Sequence, residues 1–129
     1  MAILLIIHGE MRWLILILAV VVVAKFLVGW LRKQDYQRLD RSLLMGYTIA
    51  LDINLLLGLI LLIFGGGLNS QRLEHATTMI LAVIAAHLAG RWRPAAQSPI
   101  KFRNQMLLVL LSVALVLMGV IRLRGNLMF

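Results

Sequence analysis

The chain has 129 residues, 62% of them hydrophobic, a mean hydropathy of +0.96 and a formal net charge of +8. A soluble domain of this size has no use for so much apolar side chain, whereas helices that cross a bilayer do. The lack of cysteine excludes disulfides, thiolate metal sites and a cysteine nucleophile. The basic residues sit in short segments between apolar runs, which is the pattern of loops flanking membrane spans and argues against a nucleic-acid surface.

The first apolar run, Ala2 to Leu31, is interrupted by His8-Gly9-Glu10-Met11-Arg12. It exceeds the roughly 20 residues that cross a ~30 Å hydrocarbon core, so part of it tilts, lies at the interface or projects. It has no basic n-region or small-residue cleavage site and reads as part of the mature protein. The second run is Leu43 to Phe64, with Asp40 or Ser42 as its expected cap and Gly65-Gly66-Gly67 as its end. The third is Leu73 to Gly90, capped by Asn69 or Ser70, with Glu74 in the first turn favoured by the helix dipole. The fourth is Met106 to Ile121, after a loop that Pro94 and Pro99 keep non-helical. Short loops between consecutive spans predict an all-α membrane protein. Its fold is a four-helix antiparallel transmembrane bundle in one domain, residues 1–129, with spans over about 8–31, 43–64, 73–90 and 106–121.

Small residues recur every four positions on two helices: Gly46, Ala50, Asn54 and Gly58 on the second, Thr78, Ala82, Ala86 and Gly90 on the third. That spacing lets backbones approach in lipid, and Asn54 can hydrogen-bond across. It also leaves room for a flat cofactor, and His75 lies on the same face as Ala82. Ser112 and Gly119 on the fourth helix are available for association, so a homo-oligomer or a place in a larger membrane complex is expected, with lipid around it.

The charge bias sets the orientation. Arg32, Lys33, Arg38, Arg41, Arg91, Arg93, Lys101 and Arg103 fall on one side, and Arg12, Arg72, Arg122 and Arg124 on the other. The richer side is expected to be cytoplasmic, in the inner membrane, with both termini outside. Trp13, Trp30, Tyr47 and Trp92 lie near span ends, as interfacial aromatics do.

Ionisable residues inside spans are functional candidates because lipid makes them costly. Lys25, Asp52 and His87 each lie five residues from an aromatic marker, which predicts a buried polar cluster at one depth: Asp52 pairs with Lys25 or, failing that, with His87. On the outer side, His8 and His75 sit on the first and third spans, and opposed imidazoles in a bundle are how a b-type haem is held. If Trp30 marks the inner end of the first span, His8 lies about 10 Å further out than His75. If Lys25 marks it, the two levels agree. Arg12 and Arg72 are placed to meet propionates, and Gly58 to clear the ring edge. Glu74 points about 100° away from His75 and is expected to pair with a surface arginine.

Four motifs, His8-x-x-x-Arg12-Trp13, Arg38-Leu39-Asp40-Arg41, Asp52-x-x-Leu55-Leu56-Leu57-Gly58-Leu59 and Glu74-His75-x-x-x-Met79, carry a family resemblance. The chain resembles, from His8 to about Arg91, a family of small four-span bacterial membrane proteins labelled cytochrome b-like. The resemblance implies haem b held by His8 and His75 as iron ligands, with His87 outside the pattern. It suggests electron transfer or redox sensing. The competing readings are a non-catalytic subunit or assembly factor of a larger respiratory or photosynthetic complex, which would bind haem, a chlorin or lipid incidentally, and a proton-handling transporter using Asp52, Lys25 and His87. No phosphate loop, nucleophile motif or metal-ligand spacing points to an enzyme.

Overall fold

The computed structural model describes residues 2–65, 69–91 and 98–124. They form four helices: α1 (Ala2–Leu31), α2 (Arg38–Phe64), α3 (Ser70–Arg91) and α4 (Ser98–Arg124). All four are long and apolar enough to cross a membrane, and the protein is an all-α four-helix bundle. α2, α3 and α4 overrun their apolar runs, most of all α4, which begins eight residues before Met106. Pro99 falls in its first turn instead of the loop, where a missing N–H costs nothing and the fixed φ suits a helix start. Trp92, Arg93 and Pro94 lie outside the described residues.

The helices form a square. α1 packs on α2 and α4, and α3 packs on α2 and α4; among the described residues the diagonal pairs make no backbone contact. Each inward stripe follows alternating steps of three and four. On α1 it is Ile15, Ala19, Val22 and Phe26, and on α4 Phe102, Gln105, Val109, Ser112 and Val116, all buried. That period gives the shallow crossing of long bundles. The outward faces remain apolar, with Ile17, Val20 and Ile63 each more than 60% exposed, as a surface meant for lipid tails requires.

The small stripe on α3 is a packing face. Ala82, Ala86 and Ala89 are fully buried, and their lack of bulk brings α4 close enough to donate to the main chain. Ser112 Oγ donates to Ala82 O at 2.8 Å and Gln105 Nε2 to Ala89 O at 3.0 Å. Tyr47 Oη, from α2, lies 2.8 Å from Ser112 Oγ. Three helices therefore meet at one serine.

The end of the bundle holding the α1–α2 connection is tied by aromatics and one ion pair. Phe102 packs where a Cβ on Gly29 would sit, only 2.6 Å away, and its ring lies 5.4 Å from Phe26 and 5.0 Å from Tyr36. Tyr36 donates to Gln105. Burial, with the Asp40 charge adding, pushes its hydroxyl up to about 12, so it remains a donor at neutral pH. The start of α2 corrects the expected cap. Gln37 is the N-cap residue, and Asp40 is the third residue of a capping box, with its Oδ2 accepting from Gln37 N at 2.9 Å.

Asp40, and not Asp52, is the partner of Lys25: Nζ to Oδ1 is 2.7 Å. The antiparallel register of α1 and α2 explains the correction. It sets Lys25 opposite the first turn of α2, while Asp52 lies twelve residues, about 18 Å, further along. Lys25 is thus level with the start of α2, and Trp30 reaches beyond it.

The Asp40 side chain is 1% exposed and that of Lys25 35%, so losing the lysine strands a buried carboxylate. Lys25→Met should lower unfolding free energy by about 3 kcal/mol. The double variant Lys25→Met/Asp40→Leu should recover part of that loss, because no charge is then left unpaired. Thermal or denaturant unfolding in detergent measures both. A double variant no more stable than Lys25→Met would contradict the assignment.

Candidate functional site

At the opposite end of the bundle α1 and α3, which are diagonal neighbours, each turn one histidine toward the centre. The rings of His8 and His75 are 6.3 Å apart between centroids, with planes at 89°. The 10 Å offset that a Trp30-based reading requires is absent, since Lys25 is level with the start of α2. Both rings border one cavity of about 150 Å³, lined among others by Arg12, Asn54, Gly58, Arg72, Met79 and Val116.

Each imidazole is anchored by the helix beside it. His8 Nδ1 lies 3.0 Å from Asn54 O on α2, and His75 Nδ1 lies 3.0 Å from Gly119 O on α4. A carbonyl only accepts, so both Nδ1 atoms carry hydrogen and, in the neutral ring, Nε2 carries the lone pair. This is the arrangement in which a second partner orients a metal-binding histidine.

One glycine gives the His8 ring its room, and another gives room to Met79 beside His75. A Cβ on Gly58 would lie 2.8 Å from His8 Cε1, and one on Gly119 would lie 3.5 Å from His75 Nδ1 and 2.4 Å from the Met79 methyl. Gly58 therefore clears the imidazole itself. The physical reason is proximity: His8 reaches across to α2 for its carbonyl and fills the notch.

The two arginines flank the cavity. Arg12 is 9% exposed, with its guanidinium 4.9 Å from the centroid of the Trp13 ring. Arg72 donates from Nη2 to Leu61 O at 2.8 Å, near the end of α2, and its own N–H is held by Asn69, the cap of α3. Glu74 meets Arg122 at 3.1 Å on the exposed surface, away from His75. Asn54 Oδ1 is buried with no hydrogen-bond partner among the described residues.

The remaining candidates lie elsewhere. His87 Nε2 is 2.9 and 3.1 Å from the two Asp52 oxygens, so the second of the two expected partners is the one Asp52 meets. The pair is exposed, at 54% and 41%. Lys25, Asp52 and His87 therefore form no buried cluster: the lysine is taken by Asp40, and the other two face outward.

Sequence reading missed the carbonyls of Asn54, Gly119 and Leu61, because a main-chain acceptor leaves no trace in residue type. The only signal was indirect, in Gly58 and Gly119, small residues where close approach was feasible. No protein-family model, curated protein or solved structure matches the chain.

The anchoring is testable without any cofactor. Histidine side-chain nitrogen NMR on the metal-free protein should show His8 and His75 protonated at Nδ1, and Gly58→Ala should perturb His8 alone. Both rings protonated only at Nε2 would contradict the geometry.

Proposed function

We propose that this membrane protein binds one b-type haem between His8 and His75 and serves in electron transfer or redox sensing. The observation that carries the reading is the adjacent imidazole pair, each ring fixed by a carbonyl of the adjacent helix. The two ring centres lie 6.3 Å apart, close enough that one haem iron would be held by both side chains. Two protein nitrogens suffice for a haem iron, whose remaining ligands come from the macrocycle. The resemblance to cytochrome b-like proteins points the same way.

The residues fit the group in chemistry. His8 and His75 would hold the iron, and Arg12 and Arg72 would meet the propionates through charge-assisted bonds. Leu51, Leu55, Leu62 and Val116 supply apolar wall. The cavity, at about 150 Å³, is smaller than the several hundred Å³ that enclose a cofactor-sized ligand whole. When bound, haem supplies one-electron exchange. The chain's own part is to hold two imidazoles in one tautomer, to offset the propionate charge, and to exclude water with an apolar shell, which together tune the potential.

The test is the absorbance spectrum of the purified protein and of three single variants. A reducible Soret band and alpha band are expected for the wild type. His8→Ala and His75→Ala should each lose the low-spin spectrum, and His87→Ala should leave it unchanged. A far-red band would point to a chlorin. The lack of any band after haem addition would leave an accessory-subunit role.

By the eight-to-four basic bias, both termini would lie on the outer face of the cytoplasmic membrane. The His8–His75 end of the bundle would then be the outer end. Reporter fusions at residue 36 should be cytoplasmic, and an outside signal there would reverse the orientation.

A further inference from the structure

The Asp52–His87 pair is out of place for a lone bundle in lipid. The buried polar side chains of the spans point inward, as Ser112, Gln105 and Tyr47 do. Asp52 and His87 instead meet on the outer side of the α2–α3 seam, 41% and 54% exposed. Asp52 is about 18 Å along α2 from Asp40, deep within the apolar stretch. An ionisable pair turned toward hydrocarbon costs several kcal/mol, so such groups normally face protein or water.

The surface around the pair is otherwise apolar. Met45, Ile49 and Leu56 share the α2 stripe of Asp52, and Ile80 and Ile84 share the α3 stripe of His87; all are more than 40% exposed. The face thus carries one acceptor and one donor in an oily surround. It is complementary to itself. A two-fold axis along the membrane normal makes residue i of one copy meet residue j of the other. Asp52 then approaches the partner subunit's His87, and the partner subunit's Asp52 approaches His87. A partner offering a single sign of charge would leave one of the two unmatched.

We propose that the α2–α3 face is the contact surface of a homodimer, with the two Asp52–His87 pairs joined at its centre and shielded from lipid by Ile49 and Ile84. Interhelical polar contacts of this kind favour association in membranes, and packing of the aliphatic side chains around them supplies the rest. The proposal is independent of whether haem is bound.

The chain has no cysteine, so introduced ones report alone. Ile49→Cys and Ile84→Cys, each reconstituted in phosphatidylcholine vesicles and oxidised with copper phenanthroline, should give disulfide-linked dimers. Ile17→Cys on α1 and Leu111→Cys on α4, both exposed on the far side of the square, should not. Single-molecule photobleaching of the cysteine-free protein should show dimers. Asp52→Leu/His87→Leu, with its helical content checked by circular dichroism, should dimerise about tenfold more weakly, equivalent to 1.4 kcal/mol. The proposal is overturned by monomers throughout, by equal crosslinking at all four positions, by an unweakened double variant, or by crosslinks in native membranes to another polypeptide only.

Discussion

A polar side chain inside hydrocarbon must find its partner within the protein, and in this bundle that partner is most often a main-chain carbonyl of the next helix. Ser112 and Gln105 of α4 donate to Ala82 O and Ala89 O of α3. His8 of α1 and His75 of α3 do the same to Asn54 O and Gly119 O. A helical carbonyl already bonded along its own helix has a second lone pair, so such contacts leave the helix intact. Each is modest in energy, about 1 kcal/mol, but each fixes rotation and height together. The small residues Ala82, Ala86, Gly58 and Gly119 are what bring the backbones close enough to be reached.

The two histidines follow from that rule applied twice. α1 with α2, and α3 with α4, repeat one arrangement: a histidine on the first helix and a carbonyl on the second, with Gly58 clearing the His8 ring. Because the two pairs face each other across the square, the imidazoles converge on one cavity from opposite corners. At the other end of the bundle Lys25, Asp40, Tyr36 and Phe102 form a tight plug. The histidine end is the looser one, with a cavity bordered by all four helices.

Much of the fold was legible in the chain because lipid leaves few alternatives. Four apolar runs dictate four helices, and short links dictate alternating directions. His8 and His75 were legible as a pair through their side of the membrane, and Glu74 as a surface partner for arginine through the 100° step from His75. Depth was the weak point. Trp30 and Lys25 offered two rulers for α1 that differ by a turn and a half, and only the contact of Lys25 with Asp40 decides between them. The same ambiguity led to Lys25 being matched with Asp52: equal spacing from aromatic residues is no measure of height when Tyr47 is a buried core residue and not an interfacial one. The carbonyl anchors were illegible for a different reason, since they belong to the main chain and arise from register alone.

The central claim is that the two imidazoles are opposed ligands of a single iron. Electron paramagnetic resonance of the oxidised, haem-loaded protein addresses it most directly, because spin state reports axial ligation. The account requires a low-spin ferric signal in the wild type that turns high-spin when either His8 or His75 is replaced by alanine. A wild type that is high-spin with both histidines in place, or a low-spin signal that survives the loss of one of them, would contradict it.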